Sequence, residues 1–139
     1  MGKDPILLLV EDSEDDAFFF RRTLQRSGAA CALRHVTDGA QAIEFLRKAS
    51  NGEGEGLPQV IFLDLKMPVV NGFEVLEWMQ TQVFPTELQA IVLSGSEHQD
   101  DRERAARLGA AEYLVKPVKV ADLHRFLQDL CPPQMGARV

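Results

Sequence analysis

The chain has 139 residues, of which 45% are hydrophobic and 26% are charged, and this composition predicts one globular domain rather than a disordered segment. The formal net charge of −6 argues against binding to a nucleic-acid backbone or to an anionic membrane surface. No apolar run approaches the roughly 20 residues of a membrane helix, and no secretory signal begins the chain, so we expect a cytoplasmic protein. Cys31 and Cys131 lack C-x-x-C spacing and are expected to be free thiols.

Short apolar runs alternate with segments of helical periodicity, which is the pattern of an α/β protein with a parallel sheet. A continuous apolar run over Ile6–Val10 predicts a strand that is buried on both faces. The acidic residues after it lead into a helix from about Asp15 to Arg26. A weaker strand is predicted over Ala32–Val36, and beyond the turn at Asp38-Gly39 an amphipathic helix is predicted to end near Lys48.

The second half of the chain repeats this alternation after a Gly- and Glu-rich segment, Ser50–Pro58, which predicts a surface loop longer than the usual connection. Three further strands are predicted over Val60–Leu63, Ala90–Leu93 and Glu112–Val115. The helices that follow them are predicted after Asn71-Gly72, over about Asp100 to Leu108, and around Leu123, Phe126, Leu127 and Leu130. Five strands and five helices in strict alternation, joined by right-handed crossovers, are therefore expected.

Polar residues end four of the predicted strands, and in an open parallel sheet the carboxyl ends of the strands form the ligand site. These residues are Glu11, Asp12, Asp64, Ser94 and Lys116. Three carboxylates repel one another unless a cation binds between them, and oxygen ligands suit Mg²⁺. A lysine and a serine add a positive charge and a hydroxyl for phosphate. A carboxylate can also attack phosphorus to give an acyl phosphate, and Asp64 is the best candidate because it ends the central strand.

Four motifs stand at these strand ends in order: Val10-Glu11-Asp12, Leu63-Asp64-Leu65-Lys66-Met67-Pro68 with Gly72, Ser94-Gly95, and Tyr113-Leu114-Val115-Lys116-Pro117. Ser94 and Lys116 follow Asp64 by 30 and 52 residues. Together the motifs resemble the receiver domain of two-component response regulators, from about Ile6 to Leu130. The resemblance implies a three-layer (βα)5 sandwich with a flavodoxin-like parallel sheet in the strand order 2-1-3-4-5. We expect a receiver domain at 1–131, and because Pro132 and Pro133 would stop the last helix, a flexible tail at 132–139.

The resemblance also implies a role for each matching residue. Asp64 would accept the phosphoryl group, and Mg²⁺ would be bound by Glu11, Asp12, Asp64 and the backbone carbonyl of Lys66. Lys116 would bind the phosphoryl oxygens.

A conformational switch is implied as well. Ser94 would move to hydrogen-bond the phosphate while Tyr113 turns inward, which changes the face formed by the fourth helix, the last strand and the last helix. The residues that tune the phosphoryl lifetime would be Lys66 and Ser96, and the bond from Lys116 to Pro117 would be cis.

The implied donor is a phosphohistidine on a sensor histidine kinase or a histidine phosphotransferase, or a small molecule such as acetyl phosphate. Such a protein is not a conventional enzyme, although self-phosphorylation and dephosphorylation are expected. We expect no output domain after the last helix, and therefore signalling through protein contacts or a phosphorelay. The Glu11-Asp12 pair, the Ser50–Pro58 loop and this expected single-domain architecture are similar to stand-alone receivers that serve bacterial phytochrome kinases.

Two other functions remain open at this point. Haloacid-dehalogenase-like phosphatases and Toprim domains also use strand-end carboxylates, but both carry an Asp-x-Asp pair, and here Lys66 stands two residues after Asp64. A receiver fold that only docks would usually have lost the acceptor, an acidic-pair residue or the lysine, and this chain retains all of them.

Several residues near the motifs have a simpler structural interpretation. Asp15 and Asp16 are expected to do no more than cap the first helix and complement its dipole. The histidines share no metal-ligand spacing, so phosphohistidine should come from a partner. Consecutive residues Phe18, Phe19 and Phe20 cannot all face the core, which leaves a docking or dimer surface on the first helix as a minority hypothesis.

Overall fold

The computed structural model describes residues 4–128 and residue 130. Strands and helices alternate strictly along it, as predicted. The strands are β1 (Ile6–Val10), β2 (Ala32–Val36), β3 (Val60–Asp64), β4 (Gln89–Ser94) and β5 (Glu112–Val115). The helices are α1 (Glu14–Ser27), α2 (Gly39–Ser50), α3 (Gly72–Gln80), α4 (Gln99–Arg107) and α5 (Val120–Leu127). None of the helices in this described part is long and apolar enough to span a membrane.

The five strands form one parallel sheet in the order β2-β1-β3-β4-β5, which confirms the predicted flavodoxin-like topology. The chain moves from β1 outward to β2 and then returns across β1 to β3, so the direction of winding reverses between β1 and β3. In sheets of this kind the reversal leaves a crevice at the carboxyl ends of the two strands. Glu11, Asp12 and Asp64 lie at this crevice.

Alternation along the strands divides the core into two clusters, one on each face of the sheet. Leu8 and Val10 of β1 pack with residues of α2, α3 and α4, whereas Leu7 and Leu9 pack with residues of α1 and α5. The result is a three-layer sandwich. β3 lies at the centre and every one of its residues is buried, so the position of Asp64 at its end is fixed by packing on both faces.

Local sequence explains several of the helix boundaries. α1 begins after Ser13, whose hydroxyl accepts a hydrogen bond from the Asp16 amide, and it ends at Gly28, which adopts a left-handed conformation at φ 77°. α3 begins with a capping box in which Asn71 and Glu74 each bind the other's backbone amide. These caps place the first turns of α1 and α3 directly beside the crevice.

The predicted boundaries differ from the observed ones at a few ends. α1 begins at Glu14 rather than Asp15, and α5 ends at Leu127 although the apolar spacing runs on to Leu130. Leu130 still packs against the α1–α5 side of the core, because an amphipathic pattern records burial and not helical hydrogen bonding. The predicted domain end at 131, the tail at 132–139 and Cys131 lie outside the described residues.

The long connection between α2 and β3 is a surface loop, as expected from its composition. Glu55 in this loop forms an ion pair with Arg34 of the edge strand β2, and Leu57 packs partly against the core. The loop is thereby attached beside an edge strand, away from the crevice.

Candidate functional site

The structure brings three carboxylates together at the crevice. Oxygen atoms of Glu11, Asp12 and Asp64 lie within 4.8 Å of one another. Glu11 and Asp64 are buried, whereas Asp12 is exposed and open to solvent. Among the described residues this is the group whose spacing suits a bound metal ion, and its all-oxygen donor set fits a hard divalent cation such as Mg²⁺.

Glu11 is held by hydrogen bonds on both its backbone and its side chain. Its amide donates to the Val36 carbonyl of β2 at 3.0 Å, and its Oε2 accepts from the Ser13 amide at 3.1 Å. The Glu11 carbonyl accepts a hydrogen bond from His35 Nε2 at 2.8 Å, which requires the proton of the ring to be on Nε2. His35 Nδ1 then accepts from Arg21 at 3.2 Å. The histidine, to which the sequence analysis gave no role, therefore orders the β1–α1 junction.

Lys116 reaches across the crevice from the end of β5. Its Nζ donates to Glu11 Oε1 at 2.7 Å and to Asp16 Oδ2 at 2.9 Å, and it lies 3.5 Å from Asp64 Oδ2. The prediction that Asp16 only caps α1 is therefore wrong, because its side chain extends to the lysine. Asp15, one residue earlier, is exposed on the outer side of the helix. The peptide bond from Lys116 to Pro117 is cis, in agreement with the family resemblance.

The loop from β3 to α3 donates a hydrogen bond to the Asp64 side chain. The Lys66 amide donates to Asp64 Oδ1 at 3.3 Å, and the Gly72 amide donates to the Leu65 carbonyl at 3.0 Å. Val69 adopts φ 67°, which is unusual for a β-branched residue, and its side chain is exposed. A strained backbone conformation persists only where the surrounding structure holds it, and such conformations cluster at functional sites.

Burial and the charges at the crevice change the pKa values of Asp64 and Lys116. Burial raises the pKa of Asp64 from an ordinary value of 3.8 to about 7, against the opposing effect of the Lys116 charge, and the Glu11 charge raises it further. Burial lowers the pKa of Lys116, but its hydrogen bonds to Glu11 and Asp16 outweigh burial and hold that pKa above its ordinary value. Even beside the Lys116 ammonium the Asp64 carboxylate is thus poorly stabilised as an anion, whereas the lysine is strongly held as a cation.

Ser94 and Tyr113 are connected through Ser96. The buried Ser94 hydroxyl accepts from the Ser96 amide at 3.1 Å, and the Tyr113 hydroxyl donates to the Ser96 carbonyl at 2.9 Å. Tyr113 is buried, and the guanidinium of Arg102 lies 4.7 Å above its ring. The sequence pattern gives no indication of this contact, in which Arg102 covers the tyrosine.

Two cavities flank the site. One, of about 500 Å³, opens over the acidic group between α3 and α4, and its lining includes Asp12, Lys66 and Arg104. The other, of about 340 Å³, lies beside α1 and is lined by Phe19 and Lys116 among others. One cavity thus adjoins the exposed Asp12 and the other adjoins Lys116.

The three consecutive phenylalanines of α1 divide as predicted. Phe20 is buried and packs on Phe62 of β3 with ring centroids 4.8 Å apart. Phe18 and Phe19 are 53% and 60% exposed, and their rings are in edge contact at 6.1 Å. Two adjacent exposed aromatic rings beside the crevice form an apolar surface that the fold itself does not need.

The chain matches the family model of the response regulator receiver domain over residues 7–128. It is 34% identical over 130 residues to the probable methanogenesis regulatory protein FilR2 of Methanothrix harundinacea, covering 93% of this chain and 83% of that protein. The bacteriophytochrome response regulator RtBRR has a similar structure, with a TM-score of 0.77 and 34% identity over 92% of this chain and 78% of that chain. The Mn(2+)-bound form of response regulator Rcp1 has a TM-score of 0.69 and 30% identity over 90% of each chain.

Proposed function

This chain belongs to the receiver-domain family of response regulators, and on that basis we propose that it accepts a phosphoryl group on Asp64 from a sensor histidine kinase. The observation that carries the proposal is the placement of Asp64. Its buried carboxylate stands within 4.8 Å of the Glu11 and Asp12 carboxylates and 3.5 Å from the Lys116 ammonium. Burial disfavours the charged form of Asp64, and a carboxylate of this kind is typical of a site that binds a cation and a phosphoryl group.

Glu11, Asp12 and Asp64, with the backbone carbonyl of Lys66, would hold Mg²⁺. When bound, the ion would supply positive charge for the phosphoryl oxygens. The oxygen donor set supports this assignment, and so does the likeness to a Mn(2+)-bound receiver.

The chain's own residues carry the transfer as follows. One Asp64 oxygen attacks phosphorus and forms the new O–P bond, while the P–N bond of the phosphohistidine breaks and the histidine leaves. Lys116, whose Nζ lies 3.5 Å from Asp64 Oδ2, binds the phosphoryl oxygens. Positioning and charge therefore account for most of the rate. Water later hydrolyses the acyl phosphate, and small donors such as acetyl phosphate use the same site.

Signalling follows from the connection between Ser94 and Tyr113. When the Ser94 hydroxyl turns to the phosphoryl group, it releases the Ser96 amide, and Ser96 is also the residue whose carbonyl binds Tyr113. The change at Asp64 thus reaches Tyr113 and the adjoining surface of α4 through one shared residue. Lys66 and Ser96 adjoin the acceptor and the hydroxyl, and we assign to them the tuning of the phosphoryl lifetime.

The kinase we propose is of the bacterial phytochrome class, with a histidine phosphotransferase as the other partner in a phosphorelay, and the protein would work in the cytoplasm. Structural similarity to a bacteriophytochrome response regulator supports the first assignment. The exposed rings of Phe18 and Phe19 provide an apolar surface beside the crevice for such a partner or for a second copy of the chain.

We expect incubation with acetyl phosphate and Mg²⁺ to add one phosphoryl group to the wild type and none to the Asp64→Asn variant, as measured by intact mass. Asp100→Asn, which removes an exposed carboxylate of α4, is the matched control and should behave like the wild type. A phosphoryl group on the Asp64→Asn variant would show that another residue is the acceptor. Absence of the adduct from the wild type, with acetyl phosphate and with cognate kinases, would overturn the proposed function.

Mg²⁺ binding should depend on Asp12 although this residue is the exposed member of the acidic group. Removal of one of three carboxylate ligands should weaken Mg²⁺ about tenfold or more in Asp12→Asn, because each carboxylate supplies both a ligand atom and a charge. Isothermal titration calorimetry measures the affinity, and Glu14→Gln, which removes an exposed charge two residues away, is the control. Equal affinities for the two variants would contradict the assigned ligand set.

A further inference from the structure

The ion pair between Asp16 and Lys116 is a contact in the crevice that neither metal binding nor phosphoryl transfer requires. Asp16 lies in the first turn of α1, and its side chain is 42% exposed. Its Oδ2 accepts from Lys116 Nζ at 2.9 Å, a shorter distance than the 3.5 Å between that Nζ and Asp64 Oδ2. The lysine is therefore held closer to α1 than to the residue on which the phosphoryl group would be formed.

An ammonium group has three hydrogens to donate. In the structure Lys116 uses two of them in short hydrogen bonds, to Glu11 at 2.7 Å and to Asp16 at 2.9 Å. Glu11 is buried and fixed by the β1–α1 junction, whereas Asp16 is on the solvent side, where an ion pair is weak and readily exchanged. Of the two partners, Asp16 is thus the one that Lys116 can leave when a phosphoryl group arrives.

We propose that Asp16 is a positioning residue that holds Lys116 in its resting place and competes with the phosphoryl group on Asp64 for that lysine. This inference rests on the proposed function. It deepens that function by adding a fourth carboxylate, on α1, that opposes phosphorylation. Phosphorylation then exchanges the Asp16–Lys116 pair for a phosphoryl–Lys116 pair, so the state of Asp64 changes a contact between α1 and the end of β5.

The chain offers a matched control one residue away. Asp15 belongs to the same turn and carries the same charge, but it is exposed, and no ion pair to it is seen among the described residues. Asp15→Asn and Asp16→Asn therefore remove the same charge and the same interaction with the helix dipole. A difference between them isolates the contact with Lys116.

The test compares the wild type, Asp15→Asn, Asp16→Asn and Asp16→Glu in acetyl phosphate and Mg²⁺, with the rate of adduct formation followed by intact mass. We expect Asp16→Asn to form the adduct about threefold faster than the wild type, since loss of a half-exposed ion pair has effects of this size. Asp15→Asn should match the wild type. Asp16→Glu keeps the carboxylate on a longer chain and should restore the slower rate.

A second readout follows the lysine directly and does not depend on phosphorylation. Brief labelling with acetic anhydride, quantified by peptide mass spectrometry, should modify Lys116 several-fold faster in Asp16→Asn than in Asp15→Asn, with the exposed Lys119 as internal reference. Urea unfolding establishes that each variant is folded. If Asp16→Asn is unfolded, Asp16→Ser is used in its place.

The outcomes separate the two proposals. If the wild type forms an adduct and Asp16→Asn forms it no faster than Asp15→Asn, the competition by Asp16 is wrong while the proposed function stands. Unchanged labelling of Lys116 would overturn the inference in the same way. If the wild type forms no adduct with acetyl phosphate or with cognate kinases, the proposed function fails and this inference fails with it.

Discussion

In metal-free buffer at pH 8, Asp64→Asn should be more stable than the wild type by roughly 2–4 kcal/mol in its free energy of unfolding. Burial and the neighbouring charge of Glu11 raise the pKa of Asp64 from 3.8 to about 7, in spite of the Lys116 ammonium. At pH 8 the folded protein must therefore hold a carboxylate where its environment favours the neutral acid. Asparagine has nearly the same shape and carries no charge, so it avoids this cost.

The raised pKa of Asp64 also determines how the stability difference between Asp64→Asn and the wild type depends on pH. Between pH 3.8 and about 7 the folded state binds more protons at Asp64 than the unfolded state does, so stability from this group falls as the pH rises through that window. Below both values the acid is protonated in either state and the substitution changes little. The advantage of Asp64→Asn should therefore shrink steadily from pH 8 to pH 4.

Urea unfolding in EDTA at pH 8, 6 and 4 measures this difference. Asp100→Asn, at an exposed site, should change the free energy of unfolding by less than about 0.5 kcal/mol at each pH. Added Mg²⁺ should stabilise the wild type more than Asp64→Asn, because ligands stabilise the state that binds them. A difference that is the same at pH 8 and pH 4 would exclude Asp64 as the group that titrates.

The sequence predicts that the three carboxylates lie together because the carboxyl ends of parallel strands share one edge of the sheet. Once Ile6–Val10 and Val60–Leu63 are identified as buried strands, Glu11, Asp12 and Asp64 must share one edge of the sheet. The strand order of the whole sheet follows less directly. Apolar runs show that a strand is buried but not which neighbours it pairs with, so the order depended on the resemblance to a family.

The contacts that the sequence does not reveal depend on how the helices are rotated against the sheet. Whether Asp15 or Asp16 faces Lys116 depends on the roll of α1, since neighbouring helical residues point about 100° apart. That roll is set by Phe20 and Leu24, which are buried, while Phe18 and Phe19 are exposed. The sequence alone does not show which of the three phenylalanines is buried, so the rotation of α1 is known only from the packing of the folded protein.

His35 and Arg102 were missed for a similar reason. Each lies far along the chain from its partner, with His35 bonded to the Glu11 carbonyl and Arg102 placed over Tyr113. Such polar contacts follow no periodic pattern, because they depend on which side chains of two separate elements happen to meet. A sequence pattern shows burial and secondary structure, whereas it carries little information about these pairs.

Gly72→Ala should lower the free energy of unfolding by about 3 kcal/mol, although alanine favours helices more than glycine does. Gly72 is the first residue of α3, and a Cβ atom there would lie 2.5 Å from the Asp64 carbonyl oxygen and 2.8 Å from the Leu65 Cα. Both are backbone atoms of β3 and its loop, so no side chain can turn aside to make room. The gain in helix propensity, about 1 kcal/mol, is too small to offset this overlap.

Gly95→Ala is the matched control, because a Cβ at Gly95 meets no atom within 4 Å, and its free energy of unfolding should stay within about 0.5 kcal/mol of the wild type. Urea unfolding at one pH compares the two variants, and equal stability would show that the α3 start can withdraw from β3 without cost.

Gly72→Ala should also change the candidate site. The atom that a methyl group would displace is the carbonyl of the proposed phosphoacceptor itself, so relaxation of the overlap must move Asp64 relative to Lys116 and Glu11. We therefore expect the surviving folded fraction of Gly72→Ala to form the phosphoryl adduct more slowly than the wild type, because the close approach of α3 to β3 fixes the position of the acceptor.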